Sequence, residues 1–226
     1  MKTDRVIERL VENLEPTRPL HPPWLRVGAW LALALPYIAL VVFVVSPRAD
    51  LLSKAWDWRF VIEQSAALFT GAAAAYAAFA STIPGFNRKI LLLPAVPLAI
   101  WLASIGQGCI SDWMRLGSEG LSFRPDFFCF PAIVVVGAVP ALAMAIMLRR
   151  GAPLTPCTTV ALGGFAAAGL GNFGLRMFHA QDASLMILVW QIGSVFLLTA
   201  MAGCIGRRIL NWRMLIGNTM RKSVIN

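Results

Sequence analysis

The chain has 226 residues, 58% of them hydrophobic and only 14% charged, with a formal net charge of +9. So few charges, together with a mean hydropathy of +0.69, exclude an ordinary soluble domain and point to an integral membrane protein. The basic excess would suit a nucleic-acid binder, but its placement along the chain has another cause, given below, and no direct nucleic-acid binding is expected.

The chain divides into residues 1–24, a polar head and proline-rich connector; residues 25–210, a membrane body; and residues 211–226, a basic tail. In the head, Thr3 is placed to cap a helix whose N-terminal dipole Asp4 favours. Val6, Ile7, Leu10, Val11 and Leu14 recur at helical spacing and make one apolar stripe, while Asp4, Glu8 and Glu12 make an acidic one. A helix of about 12 residues is marginal in water unless something covers its apolar face. Two covers are open: the membrane surface, or a groove on a basic cytoplasmic protein. Interfacial helices carry Lys and Arg toward anionic lipid, and here acids predominate, which favours the protein partner. The connector, Pro16 to Pro23, cannot continue a helix and favours extended polyproline geometry. It holds the head up to roughly 25 Å from the bilayer, at about 3.1 Å per residue.

Six apolar runs follow, at about Val27–Val45, Phe60–Ile83, Ile90–Ile110, Phe127–Leu148, Cys157–Leu175 and Ser184–Ile205. About 20 apolar residues in helical form cross a hydrocarbon core roughly 30 Å thick. Lipid offers no partner for free backbone groups, so such runs are helices and not strands. The expected fold is an all-α integral membrane protein, a six-transmembrane-helix bundle with a short cytoplasmic N-terminal amphipathic helix. Pro36, Pro94, Pro97 and Pro140 fall inside these runs. The first run starts late and lacks a small-residue cleavage site, so it is not a cleavable signal.

With the N-terminus inside, Arg26, Arg88, Lys89, Arg149, Arg150, Arg207 and Arg208 join the bases of both termini on the cytoplasmic side. Arg48, Lys54, Arg59, Arg115, Arg124 and Arg176 lie opposite, among Asp50, Asp57, Asp112, Glu119, Asp126 and Asp182. This asymmetry is the positive-inside pattern and explains the net charge without nucleic acid. It puts both termini in the cytoplasm, in a bacterial inner membrane.

Within the membrane body, Ala67, Gly71 and Ala75 line one face of the second run, and Gly163, Ala167 and Gly171 one face of the fifth. Small residues let helices approach closely, so these read as packing seams. Glu63 is a candidate intramembrane polar site; it is also placed to pair with Arg59 one turn away or with Arg176. Gln64, Gln107, Asn172 and Gln191 read as cross-bundle hydrogen-bonding groups. Cys109 and Cys129 fall toward the outer compartment, whereas Cys157 and Cys204 lie near the inner face. An outer disulfide persists only in an oxidising compartment, and independent buried thiols are the alternative. The cysteines are widely spaced and His21 and His179 lie on opposite sides, so no metal site is expected. No cofactor is expected either. The sequence holds no phosphate-cradling loop, no metal-binding His-Glu motif and no one-sided Ser/His/Asp set, so an enzyme is not expected.

One set of residues carries a family resemblance. It comprises Leu14-Glu15-Pro16-Thr17-Arg18-Pro19 up to Pro22-Pro23, Arg59-Phe60 with Glu63, and Gly108-Cys109-Ile110-Ser111-Asp112-Trp113. Arg149-Arg150-Gly151-Ala152-Pro153-Leu154, and His179 followed by Ser184 and Val189-Trp190, complete it. In these the chain resembles the NrsF-type family of bacterial membrane anti-sigma factors, negative regulators of an extracytoplasmic-function (ECF) sigma factor. The resemblance implies that the head sequesters the sigma factor at the membrane until a periplasmic signal, of the oxidative or metal-stress kind, releases it. It maps sigma binding onto Asp4, Val6, Ile7, Glu8, Leu10, Val11, Glu12 and Leu14, and redox sensing onto Cys109 and Cys129. The chain departs from the family pattern at Ala180, where a cysteine is expected after His179. The partners implied are an ECF sigma factor and membrane lipids. The competing reading is a small six-helix transporter or proton-coupled protein with Glu63 in its path; a weaker one is a structural subunit of a membrane complex.

Overall fold

The computed structural model describes residues 3, 7, 8, 19–117, 129–151, 153–179 and 184–210. Among these residues are six long helices: α1 (Pro23–Val45), α2 (Trp58–Ala80), α3 (Ala95–Leu116), α4 (Cys129–Leu148), α5 (Pro156–Phe178) and α6 (Ser184–Ile209). A single helical turn, Leu51–Lys54, precedes α2, and a short 3₁₀ helix, Arg88–Leu92, precedes α3. No strand occurs among the described residues.

The helices lie where the apolar runs were expected, with instructive differences at their ends. Helix α1 begins at Pro23, four residues before the expected start at Val27, so Arg26 lies within it. A proline at the first helical position loses no hydrogen bond, because that N–H has no intrahelical acceptor anyway. The same tolerance moves the start of α3: Pro94 is its N-cap and Pro97 lies in its first turn. Pro36 and Pro140 do fall inside helices. The missing N–H at Pro140 leaves the preceding turn of α4 one donor short. Tyr37 of α1 donates from its hydroxyl to the Val135 carbonyl at 2.8 Å, and the Trp30 indole donates to the Pro140 carbonyl at 2.9 Å. Helix α1 thus clasps α4 on both sides of the proline.

Helix α5 is the centre of the bundle and packs against α2, α4 and α6. Three different stripes of small residues permit this. The expected α2 seam of Ala67, Gly71 and Ala75 meets α5 through Ala166, Gly169 and Leu170, and a Cβ on Gly169 would stand 3.3 Å from the Gly71 Cα. The other expected seam, Gly163, Ala167 and Gly171, faces α4 instead, where a Cβ on Gly171 would stand 2.9 Å from the Ile133 carbonyl oxygen. On a third side, a Cβ on Gly164 would stand 2.5 Å from the Ala202 Cβ of α6.

Polar groups share the apolar interior while large apolar side chains face outward, the reverse of a water-soluble surface. Glu63, Gln64, Thr70, Thr159, Asn172, Arg176 and Gln191 are buried, while Phe43, Val44 and Phe196 are each more than 70% exposed. Three stretches, Pro23–Val45, Arg88–Arg115 and Phe130–Leu148, are long and apolar enough to cross a membrane, and Gln191–Gly206 is a shorter apolar one. Helices α2 and α5 are as long as α1 but less apolar, because their contacts use alanine, glycine and polar residues in place of large aliphatic ones.

The central position of α5 has a measurable consequence. Gly171→Ala forces a methyl against backbone and should cost about 1–3 kcal/mol, as overpacking does. Gly28→Ala meets nothing within 4 Å and should leave stability unchanged or slightly raised. Thermal unfolding of the two purified variants in detergent checks the difference.

Candidate functional site

At one end of the bundle, charged side chains are drawn inside it. The Asp57 carboxylate caps α2 by accepting from the Arg59 N–H at 3.1 Å, which fixes where the helix begins. Phe60 and Glu63, one turn apart, then face inward. Opposite them Arg176 occupies the last turn of α5, where a cation complements the helix dipole. Its Nε lies 3.3 Å from Glu63 Oε1, and both side chains are less than 10% exposed. That separation is an ion pair, longer than an aligned charge-assisted hydrogen bond. Of the two partners open to Glu63 from sequence, the structure pairs it with Arg176 across the helix interface.

The segment after α1 closes over this pair. Ser46 adopts a left-handed φ of 84°, and Pro47 follows it, turning the chain back across the bundle end. The Arg48 backbone N–H then donates to the Met177 carbonyl at 3.1 Å. The Arg48 guanidinium is held by both carboxylate oxygens of Asp50, at 2.6 and 2.8 Å. Arg48 and Arg176 both approach the ring of buried Phe60, at 5.9 and 5.7 Å from its centroid. The hydrogen bond from Arg48 holds the Asp50 carboxyl below its ordinary value of 3.8. The contribution of this pair is therefore fully present above that ordinary value, and is lost only as pH falls through the lower folded one.

Next to the ion pair lies a polar layer. Gln64 of α2, Asn172 of α5 and Gln191 of α6 are all buried, and Asn172 donates to the Ala168 carbonyl at 2.9 Å. The side-chain carbonyl oxygens of all three lack hydrogen-bond partners among the described residues. Buried side-chain amides on three helices thus gather beside the ion pair. The arrangement joins α2 to α5 and the α1–α2 segment to both. Gln107, expected in the interior, is exposed on α3.

The other residues singled out from sequence stand apart from this network. Ile7 and Glu8 are helical and exposed, while Asp4, Val6, Leu10, Val11, Glu12 and Leu14 lie outside the described residues. Cys109 is partly buried on α3. Cys129 opens α4, but its side chain lies outside what is described, so the expected Cys109–Cys129 relation does too. Sequence reasoning passed over Arg26 and Arg48, both buried. Their signal was available: each follows prolines at a helix boundary, within reach of the bundle interior.

Glu63→Gln should destabilise the protein by about 3–5 kcal/mol, because it leaves the Arg176 charge buried without its partner. Adding Arg176→Gln should recover much of that loss. Thermal unfolding of wild type, both single variants and the double variant gives the coupling directly.

Comparison with known families settles the relationship. The family model NrsF, described as negative regulator of sigma F, matches residues 10–212. The match takes in Leu10, Val11, Glu12 and Leu14 of the head, the connector and all six helices, and begins after Asp4, Val6, Ile7 and Glu8. No curated protein and no solved structure matches the chain. Since the matched range covers nearly the whole chain, in agreement with the resemblance read from its motifs, this protein belongs to the NrsF family of negative regulators of sigma F.

Proposed function

We propose that this protein is an inner-membrane anti-sigma factor that holds an ECF sigma factor through its N-terminal helix and releases it when a periplasmic signal, oxidative or metal stress, disturbs the bundle. The observation that carries the reading is the family match, which runs from the head through the whole helical body. Membership in a family of sigma-factor regulators implies a sigma-factor partner, and the family is one of regulators and not an enzyme class.

The bundle supports the membrane placement. Its exposed surface is apolar, and tryptophans stand on that surface near both ends: Trp24 at one, Trp56, Trp58 and Trp113 at the other. Aromatic belts of this kind mark the two membrane interfaces. On this reading residues 25–210 cross the membrane six times. Helices α2 and α5 are carried within the bundle by their neighbours, and residues 1–24 and 211–226 lie in the cytoplasm.

Sigma factors carry basic DNA-binding surfaces. An acidic stripe of Asp4, Glu8 and Glu12 beside an apolar one of Val6, Ile7, Leu10, Val11 and Leu14 is suited to covering such a surface. The exposure of Ile7, at 53%, fits a side chain awaiting a partner. The network around Glu63 and Arg176 is suited to receive the signal, because it joins the α1–α2 segment to α5. Cys109 and Cys129 are the proposed redox pair. Pairing of Glu63 with Arg176 favours a latch between helices over a stop on a permeation path.

Asp4→Lys, Glu8→Lys and Glu12→Lys combined should release the sigma factor and raise transcription from its promoters at least tenfold, read with a reporter. Unchanged transcription together with intact co-purification of the sigma factor would remove this interface from the account. A Cys109→Ser, Cys129→Ser variant should no longer respond to oxidant; a normal response would remove the redox role.

A further inference from the structure

At the opposite end of the bundle a second arginine is buried, and its surroundings differ from those of Arg176. Arg26 is only 6% exposed. Its Nη1 donates to the Thr82 hydroxyl at 2.9 Å and its Nη2 to the Met147 carbonyl at 2.7 Å. The guanidinium lies 4.3 Å from the centroid of the Phe79 ring. Helix α2, the turn after it and α4 therefore fix it, yet no carboxylate pairs with it among the described residues.

The nearest charge makes matters worse for an isolated protein, since Arg150 acts on Arg26 as a like charge. Their juxtaposition is built in. The α4–α5 loop presses onto the end of α2, and a Cβ on Gly151 would stand 2.4 Å from the Thr82 Cβ. Thr82, which receives Arg26, in turn donates to the Phe79 carbonyl at 2.7 Å. The two arginines line one cavity of about 680 Å³ with His21, Leu20, Leu25 and Met147. It is cationic at one part of its wall and apolar at the other. Topogenic charge alone needs exposed arginines in a loop, and Arg149 and Arg150 supply that. It gives no reason to bury Arg26 in front of them.

We infer that this cavity is a binding site for a phosphate-bearing anion, and that its natural occupant is the headgroup of an anionic phospholipid of the cytoplasmic leaflet. Guanidinium groups donate paired hydrogen bonds to phosphate oxygens. Basic pockets between helices at the cytoplasmic face are the usual seats of anionic headgroups. Leu25 and Met147 give the first acyl carbons an apolar wall. Because Leu20 and His21 belong to the connector, a bound headgroup ties that connector to the bundle. It thereby sets where the head stands. The inference rests on the membrane placement proposed above and is independent of the sigma-binding interface.

The test uses full-length protein in phosphatidylcholine nanodiscs, with and without phosphatidylglycerol, examined by native mass spectrometry. Wild type should retain phosphatidylglycerol selectively, and Arg150→Gln should lower that retention about tenfold, the worth of about one charge-assisted hydrogen bond. Arg149→Gln, one residue away and outside the cavity lining, should retain it as wild type does. If millimolar inorganic phosphate displaces the lipid from wild type, the site reads the phosphate group itself, and free phosphate joins the lipid as its ligand. Equal retention of both lipids by wild type, or equal loss in the two arginine variants, would overturn the inference. Capture of sigma factor by the same discs is scored separately, so failure of one reading does not hide in the other.

Discussion

Everything in this bundle depends on α5 being touched by helix backbone on three sides. Large side chains at positions 164, 169 or 171 would hold α6, α2 or α4 off by several ångströms, and the buried polar groups would lose their partners. In lipid there is no hydrophobic gain from burying leucine against leucine, so close packing and polar contacts must hold helices together. Alanine and glycine supply the first at the centre of the helices. Arginine, glutamate, serine and threonine supply the second at their ends.

The two ends solve that second problem differently. At the end with Glu63, each described buried arginine has an acidic partner: Arg176 has Glu63, and Arg48 has Asp50. At the end with Arg26, neutral acceptors and an aromatic face hold the guanidinium, and a second arginine faces it. The first arrangement is closed in itself and joins elements of the bundle. The second leaves a buried guanidinium on neutral acceptors beside a like charge.

Much of the architecture could be read from the sequence because lipid permits few solutions. Long apolar runs must be helices, and a helix lies at each of the six, with ends off by a few residues where prolines sit at first turns; three stretches are long and apolar enough to cross a membrane. Both small-residue seams were visible at their i, i+4, i+8 spacing. Which helix each seam meets was not, because that depends on how α5 is rotated among its neighbours. The partner of Glu63 was open for the same reason. Arg59 is one turn away in sequence, but an arginine preceding a glutamate by four residues is the weaker order on a helix, and the inward face of α2 belongs to α5. Arg26 escaped notice because charge near a helix start reads as topogenic until the fold shows it buried. The head carries the functional claim, and its stripes are a property of the sequence that calls for a partner to be seen at work.

The most direct measurement is a pull-down from cells expressing either the full-length protein or a form lacking residues 1–24, with bound proteins identified by mass spectrometry. The account predicts a sigma factor captured by the full-length chain and absent from the truncated one, although both reach the membrane. Equal capture by the two forms, or capture by neither, would contradict it.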